Sequence, residues 1–159
     1  GMTNATVPSS AVVMRRGIYD AFMNGPEWMI DLAHGYTYSA HPLAVAAGLA
    51  TMDVYQEEGL FQRAADLAPY FEDAIHSLKG LPNVIDIRNF GMMAAVEVSP
   101  REGAHPTARS YDLFLDCWQN GVYTRFAGET LAFSPPLIAD RGHVDRIFET
   151  VAAALKRVA

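Results

Sequence analysis

An α/β architecture is predicted for this 159-residue chain, and three observations predict it. From residue 60 onward the pattern runs helix, two strands, helix, two strands, helix. The helical stretches repeat apolar residues at helical spacing, while the strand stretches are short and broken by Asn and Gly. Half of the residues are hydrophobic and 19% are charged, which supports a packed core and argues against wholesale disorder. This order predicts a two-layer unit with helices on one face of a mostly antiparallel sheet.

Residues 6–14 (TVPSSAVVM) read as a short strand and 16–23 as a short helix. Asn24-Gly25-Pro26 stops that helix, because proline disfavours a helical residue before it. Residues 26–40 read as an irregular loop with Trp28, Tyr36 and Tyr38. A helix follows over 42–58, with proline at its first position, where the missing N–H costs nothing. Its Ala44, Ala46, Ala47, Gly48 and Ala50 make it smooth, so close packing against it is expected. The next helix, 60–78, carries Leu60, Ala64, Leu67, Phe71, Ile75 and Leu78, with Pro69 as a possible bend and Gly80 closing it.

Two strands, 83–88 and 92–98, are expected to turn at Asn89-Phe90-Gly91. Pro106 and Thr107 open a third helix with Tyr111, Phe114, Leu115 and Trp118 on one face, ended by Asn120-Gly121. Residues 122–126 and 130–133 read as a hairpin over Ala127-Gly128-Glu129. The last helix spans 140–158, capped by Asp140, with Val144, Ile147, Phe148, Val151, Leu155 and Val158 as its apolar stripe. Residues 1–40 cannot bury their apolar faces alone. They read as the torn edge of another domain, joined through the 42–58 helix.

Composition narrows the function. The net charge of -6 and the lack of any basic cluster larger than a pair such as Arg15-Arg16 argue against nucleic acid as a partner. The small-and-apolar stretch 42–52 is too short to span a bilayer, and no secretory signal opens the chain. Cys117, the single cysteine, allows no internal disulfide, which fits a reducing cytoplasm. The five histidines and Cys117 show no metal-ligand spacing, and neither a nucleophile elbow nor a triad order is visible.

Two places could carry chemistry. In His34-Gly35-Tyr36-Thr37-Tyr38-Ser39-Ala40-His41-Pro42, hydroxyls and backbone N–H groups gather at a helix start, where an anion is favoured. The same residues also suit an ordinary aromatic loop in which Ser39 or His41 caps the helix. Arg125 stands inside an apolar strand, Val122-Tyr123-Thr124-Arg125-Phe126, and its planar fork suits a carboxylate. Equally, it suits the strand's solvent edge, or a pairing with Glu129 across the turn.

Longer motifs favour the chemical readings. HGYTYSAHPLAVAAGLA (34–50) closely resembles the signature loop and helix of class III pyridoxal-phosphate (PLP) aminotransferases, nearest the β-alanine/omega-amino-acid:pyruvate branch. NVIDIRNFGMMAAVEV (83–98) is similar to that branch's first small-domain hairpin. GVYTRFAGETLAFSPPL (121–137) resembles the hairpin that carries the family's substrate arginine. GMTNATVPSSAVV at the start is similar to the stretch directly after the family's cofactor-binding lysine. These motifs stand in the family's order and cover essentially the whole chain.

The resemblance implies the C-terminal part of a fold-type-I PLP transferase: a large-domain remnant with the signature loop over 1–41, a connecting helix over 42–58 and the small domain over 59–159. It implies that Thr37, with Tyr36 beside it, holds the cofactor phosphate, reaching into the neighbouring subunit's active site in a homodimer. Arg125 then binds the α-carboxylate of a small amino or keto acid, with Tyr38 and Phe126 near the pocket. It implies no catalytic residue within this chain, because the family's lysine aligns just before Gly1. Lys79 and Lys156 are the only lysines, and neither takes that role. The expectation is therefore an aminotransferase part that is inactive alone and holds no covalent PLP. The alternative is a truncated, non-catalytic product acting as a dimeric fold module or weak anion binder. Either way, exposure of Val12, Val13, Ile18, Phe22 and Trp28 is expected to drive self-association.

Overall fold

A computed structural model describes residues 2–29 and 34–158, so Gly1, residues 30–33 of the aromatic loop and Ala159 lie outside it. The chain divides into two compact units, Gly1–Glu58 and Gly59–Ala159.

The first unit holds α1 (Arg16–Phe22) and α2 (Pro42–Glu57). The strand expected over 6–14 is absent. A strand needs a partner for its ladder, and no described segment pairs with these residues. The chain instead turns early: Asn4 and Ala5 take φ of 50° and 61°, and the Thr6 N–H bonds the Thr3 carbonyl at 3.0 Å. Beyond the turn Val12 and Val13 are 85% and 93% exposed. Helix α2 is apolar all round, a pattern that suits a buried helix. Within this unit, however, only its Thr51 is buried, while Leu43, Leu49 and Met52 are exposed. Ile18, Phe22 and Trp28 are exposed as well.

The second unit is the expected two-layer α/β fold. Three helices, α3 (Leu60–His76), α4 (Ala108–Gln119) and α5 (Arg141–Arg157), accompany the strands β1 (Val84–Phe90), β2 (Met93–Val98), β3 (Arg125–Ala127) and β4 (Thr130–Phe133). The sheet order is β1-β2-β4-β3, and each pair is antiparallel. One row across it runs Ile87, Val96, Leu131, Phe126, and the neighbouring row runs Arg88, Ala95, Ala132, Arg125. The first row faces the helices. Val96, Val98, Leu131 and Phe133 pack with Phe71 and Ile75 of α3, Leu113 and Cys117 of α4, and Val144, Phe148, Val151 and Leu155 of α5.

Two hairpin tips and the buried face of α4 differ from expectation for physical reasons. The first hairpin turns at Gly91-Met92, so Asn89 and Phe90 remain in β1 and Phe90 pairs Met93. Gly91 supplies φ of 55° at the first loop position, as a tight two-residue turn requires. The second hairpin is likewise shorter, with Ala127 paired to Thr130 and only Gly128-Glu129 at its tip. On α4 the buried residues are Arg109, Ser110, Leu113 and Cys117, while Tyr111 and Trp118 of the expected face stay exposed. The polar members of the buried face are satisfied: Arg109 Nε donates to the Ser99 carbonyl at 2.8 Å, and Ser110 Oγ to the Gly128 carbonyl at 2.6 Å.

Helix α5 begins with a reciprocal cap, in which Asp140 accepts the His143 N–H at 3.0 Å and its own N–H meets the His143 ring. The His143 backbone N–H, and then its side chain, hold the Asp140 carboxyl below its ordinary value.

Burial pushes the Cys117 thiol up to about 11. A neutral, enclosed thiol is inert, so a disulfide reagent is expected to modify Cys117 only upon unfolding. The raised value also fixes a sign. The folded state favours the protonated thiol, so this contribution is intact below the ordinary thiol value of about 8.5 and is lost as pH rises towards 11. Melting temperatures across that range are expected to fall more steeply for the wild type than for Cys117→Ala.

Candidate functional site

The described part of the aromatic loop is a tight turn leading into α2. Ser39 closes it twice: its N–H bonds the Tyr36 carbonyl at 2.9 Å, and its Oγ accepts the Tyr36 N–H at 3.0 Å. With that hydroxyl occupied in the turn, Ser39 does not cap the helix. His41 is the N-cap residue but makes no side-chain cap bond. The capping alternative for Ser39 and His41 is thus not realised, and no described side chain caps the start of α2. Thr37 sits at the apex, exposed, and neither its hydroxyl nor its N–H has a partner among the described residues. Tyr36 and Tyr38 flank it, 80% and 79% exposed, with their rings edge-on to His34 and His41. The turn therefore gathers Tyr36, Thr37 and Tyr38 on one exposed surface with free donors.

Arg125 opens β3, an edge strand of three residues. It shares its row with Ala132 and Ala95, whose small side chains leave the guanidinium room, and it is exposed. Its side chain makes no ion pair or hydrogen bond with any described residue. The pairing with Glu129 does not form, because Glu129 Oε1 accepts the Thr107 N–H at 2.7 Å instead. Arg125 borders a concavity of about 470 Å³ with Tyr123, Pro135, His143 and Arg146. Arg146 reaches the Asn120 carbonyl at 3.2 Å across Gly121, which holds φ of 82° and where a Cβ would lie 3.1 Å from the guanidinium. Two arginines give this hollow a positive character suited to an anion.

Phe126 follows Arg125 but belongs to the opposite face, since successive strand residues alternate. Its ring joins Phe114 at 5.5 Å and Tyr111 at 5.7 Å, and Phe114 in turn meets Tyr123 at 6.0 Å. The aromatic residues expected on one face of α4 thus form a satellite cluster over β3. Sequence reasoning missed Tyr123, His143 and Arg146 as neighbours of Arg125. His143 and Arg146 lie on α5 at helical spacing, a signal overshadowed by the apolar stripe.

Among the described residues no three His, Cys, Asp or Glu side chains gather as a metal set, and no helix is long and apolar enough to cross a membrane.

Residues 1–155 match the model of the family described as Aminotransferase class-III. The chain belongs to the class-III aminotransferases. An omega-aminotransferase of Caulobacter vibrioides is 51% identical over 158 residues, which cover 99% of this chain and 36% of that protein. The beta-alanine–pyruvate aminotransferase of Pseudomonas aeruginosa is 47% identical, with the same coverage of 99% and 36%. An amine transaminase from an uncultivated Pseudomonas species, solved in its PLP-bound form, superposes with a TM-score of 0.88 at 27% identity, covering 100% of this chain and 37% of that one. This class-III chain therefore spans little more than a third of its relatives' length, and its α/β fold corresponds to part of the larger enzyme.

Packing separates the site candidates by consequence. Phe126→Ala is expected to cost roughly 2 kcal/mol, since the ring is partly buried. Tyr36→Ala and Tyr38→Ala are expected to change stability by less than about 0.5 kcal/mol. Denaturant unfolding of the three variants measures the difference.

Proposed function

We propose that this chain is part of a PLP-dependent aminotransferase that moves an amino group between an omega-amino acid or amine and pyruvate. The observation that carries the reading is Arg125: an exposed, unpaired guanidinium on a concave surface, in a chain half identical to an omega-aminotransferase. Its fork binds the carboxylate of the amino or keto acid bidentately and orients the reacting carbon. It turns aside when the donor is an amine without a carboxylate. The resemblance also gives Tyr38 and Phe126 substrate-side roles, and the Phe126 ring packs on Tyr111 and Phe114 behind the strand that carries Arg125.

Pyridoxal phosphate fits the first unit. A phosphate dianion needs several convergent donors, and the turn offers the free hydroxyl and N–H of Thr37 beside a helix start that no side chain caps. Thr37 holds the phosphate, with Tyr36 alongside, in a homodimer whose neighbouring subunit completes the site. When bound, the cofactor supplies the electron sink that transamination requires. The domain division follows the resemblance: a large-domain part over 1–41, a connecting helix over 42–58 and a small domain over 59–159. The working compartment is the cytoplasm.

The covalent anchor for the cofactor comes from outside these residues. Lys79 follows α3 and Lys156 lies in the last turn of α5, both exposed, and neither belongs to the loop or the concavity. A polypeptide of residues 1–159 supplied with PLP, β-alanine and pyruvate is therefore expected to show no turnover, while the full-length protein forms alanine. In the full-length protein Arg125→Ala is expected to lower kcat/KM for β-alanine about tenfold to a hundredfold, the loss of a charge-assisted hydrogen-bond pair. Thr37→Ala is expected to weaken PLP retention during dialysis. Turnover by the short polypeptide, or a full-length protein without transaminase activity, would refute the reading.

A second reading, a non-catalytic module that self-associates, is favoured by one observation: the first unit leaves Val12, Val13, Trp28 and Leu43 exposed. Contiguous apolar surface is seldom left wet. Sedimentation of residues 1–159 is expected to show dimers or larger species at micromolar concentration, and a strict monomer at high concentration would contradict this.

A further inference from the structure

We propose that Glu129 is a positioning residue for Arg125: by clasping the Thr107 N–H it fixes the tip of the β3–β4 hairpin, and with it the strand from which the guanidinium projects. The inference rests on the carboxylate-binding role given to Arg125 above.

The hairpin tip consists of Gly128 and Glu129, with Gly128 at φ of 59°. Three hydrogen bonds tie these two residues to neighbouring elements. The Glu129 carbonyl accepts the Val98 N–H at 2.8 Å, which joins the tip to the end of β2. Glu129 Oε1 accepts the Thr107 N–H at 2.7 Å, and the Gly128 carbonyl accepts the hydroxyl of fully buried Ser110 at 2.6 Å, which join it to the start of α4.

The Glu129 bond is the unusual one. A glutamate at a hairpin tip ordinarily reaches into water. Here the side chain is drawn inward, and its Oε2 is buried without a hydrogen bond from any described residue. Its partner Thr107 holds φ of 72°, a left-handed conformation that a β-branched residue rarely adopts. Two unfavourable local arrangements, a half-satisfied carboxylate and a left-handed threonine, coincide at one contact. Strain of this kind persists where the surrounding structure requires a particular geometry.

That geometry is the placement of β3. Arg125 lies three residues before the tip's Gly128. On its other side Thr124, only 3% exposed, donates its hydroxyl to the Ala132 carbonyl at 3.0 Å. The backbone of Arg125 is therefore anchored on both sides, while its side chain has no partner among the described residues. A guanidinium that engages a carboxylate for some substrates and leaves it for others needs such a pivot: a fixed Cα and a free side chain.

The test uses the full-length holoenzyme and reads each half-reaction separately from the cofactor absorbance. Glu129→Ala is expected to raise KM for β-alanine and for pyruvate roughly tenfold, since small misplacements of a binding group are costly. KM for an amine donor without a carboxylate, and kcat for both donors, are expected to stay near the wild-type values. Glu129→Gln, which keeps an oxygen for the Thr107 N–H, is expected to restore the carboxylate KM. If Glu129→Ala does not fold, the double variant Glu129→Ala/Thr107→Gly serves in its place, because glycine accepts the left-handed φ freely. Equal changes for both donors, or none, overturn the inference if Arg125→Ala remains selective for carboxylates. Loss of that selectivity in Arg125→Ala would instead overturn the role of Arg125, and the inference with it.

Discussion

A sheet covered by helices on one side only has a dry face and a wet face, and the two-residue period of a strand assigns every position to one of them. In the second unit this constraint governs almost everything else. Ile87, Val96, Leu131 and Phe126 form a row against the helices, so the neighbouring row of Arg88, Ala95, Ala132 and Arg125 must face away. The availability of Arg125 is thus a consequence of burying Leu131 and Phe126. A slip of one residue between β3 and β4 would drive the guanidinium into the core and bring an aromatic ring out in its place.

The helices were legible in the sequence because their punctuation is local. Pro42, the Asn120-Gly121 pair and Asp140 mark ends whose chemistry is contained within a few residues. Strand limits were less legible, because a two-residue tip can be told from a three-residue one only once the cross-strand partners are known. Phe90 and Ala127, which the local sequence assigns to turns, belong to ladders. The buried face of α4 was misjudged for a different reason. Hydropathy favours Tyr111 and Trp118 over Arg109 and Ser110, yet the latter pair go inside because each finds a carbonyl acceptor. Hydropathy has no term for a partner that lies elsewhere in the chain.

The candidate site divides along the same line. Thr37 and Arg125 stand within long motifs, so the family resemblance is enough to single them out as candidates. Glu129 was noticed only as a pairing option for Arg125, four residues away. Its actual partner, Thr107, lies 22 residues back, and nothing in the local pattern connects the two. The first unit shows the converse. The uniform hydrophobicity of α2 announced a helix that wants cover on all sides, and within its own unit only Thr51 is covered. Membership of a family whose proteins are nearly three times as long accounts for that composition.

The two outer strands of the sheet differ in how they are terminated. β1 carries a register irregularity between Val84 and Asp86, and its Arg88 is ion-paired with both Asp86 and Glu97. β3 ends after three residues, anchored at its tip. A bulged, charged margin and a very short one are both poor templates for an incoming strand. The small α/β unit is therefore guarded against amyloid-like growth through its backbone, and contacts made by side chains are the route left open for it to meet other protein surfaces.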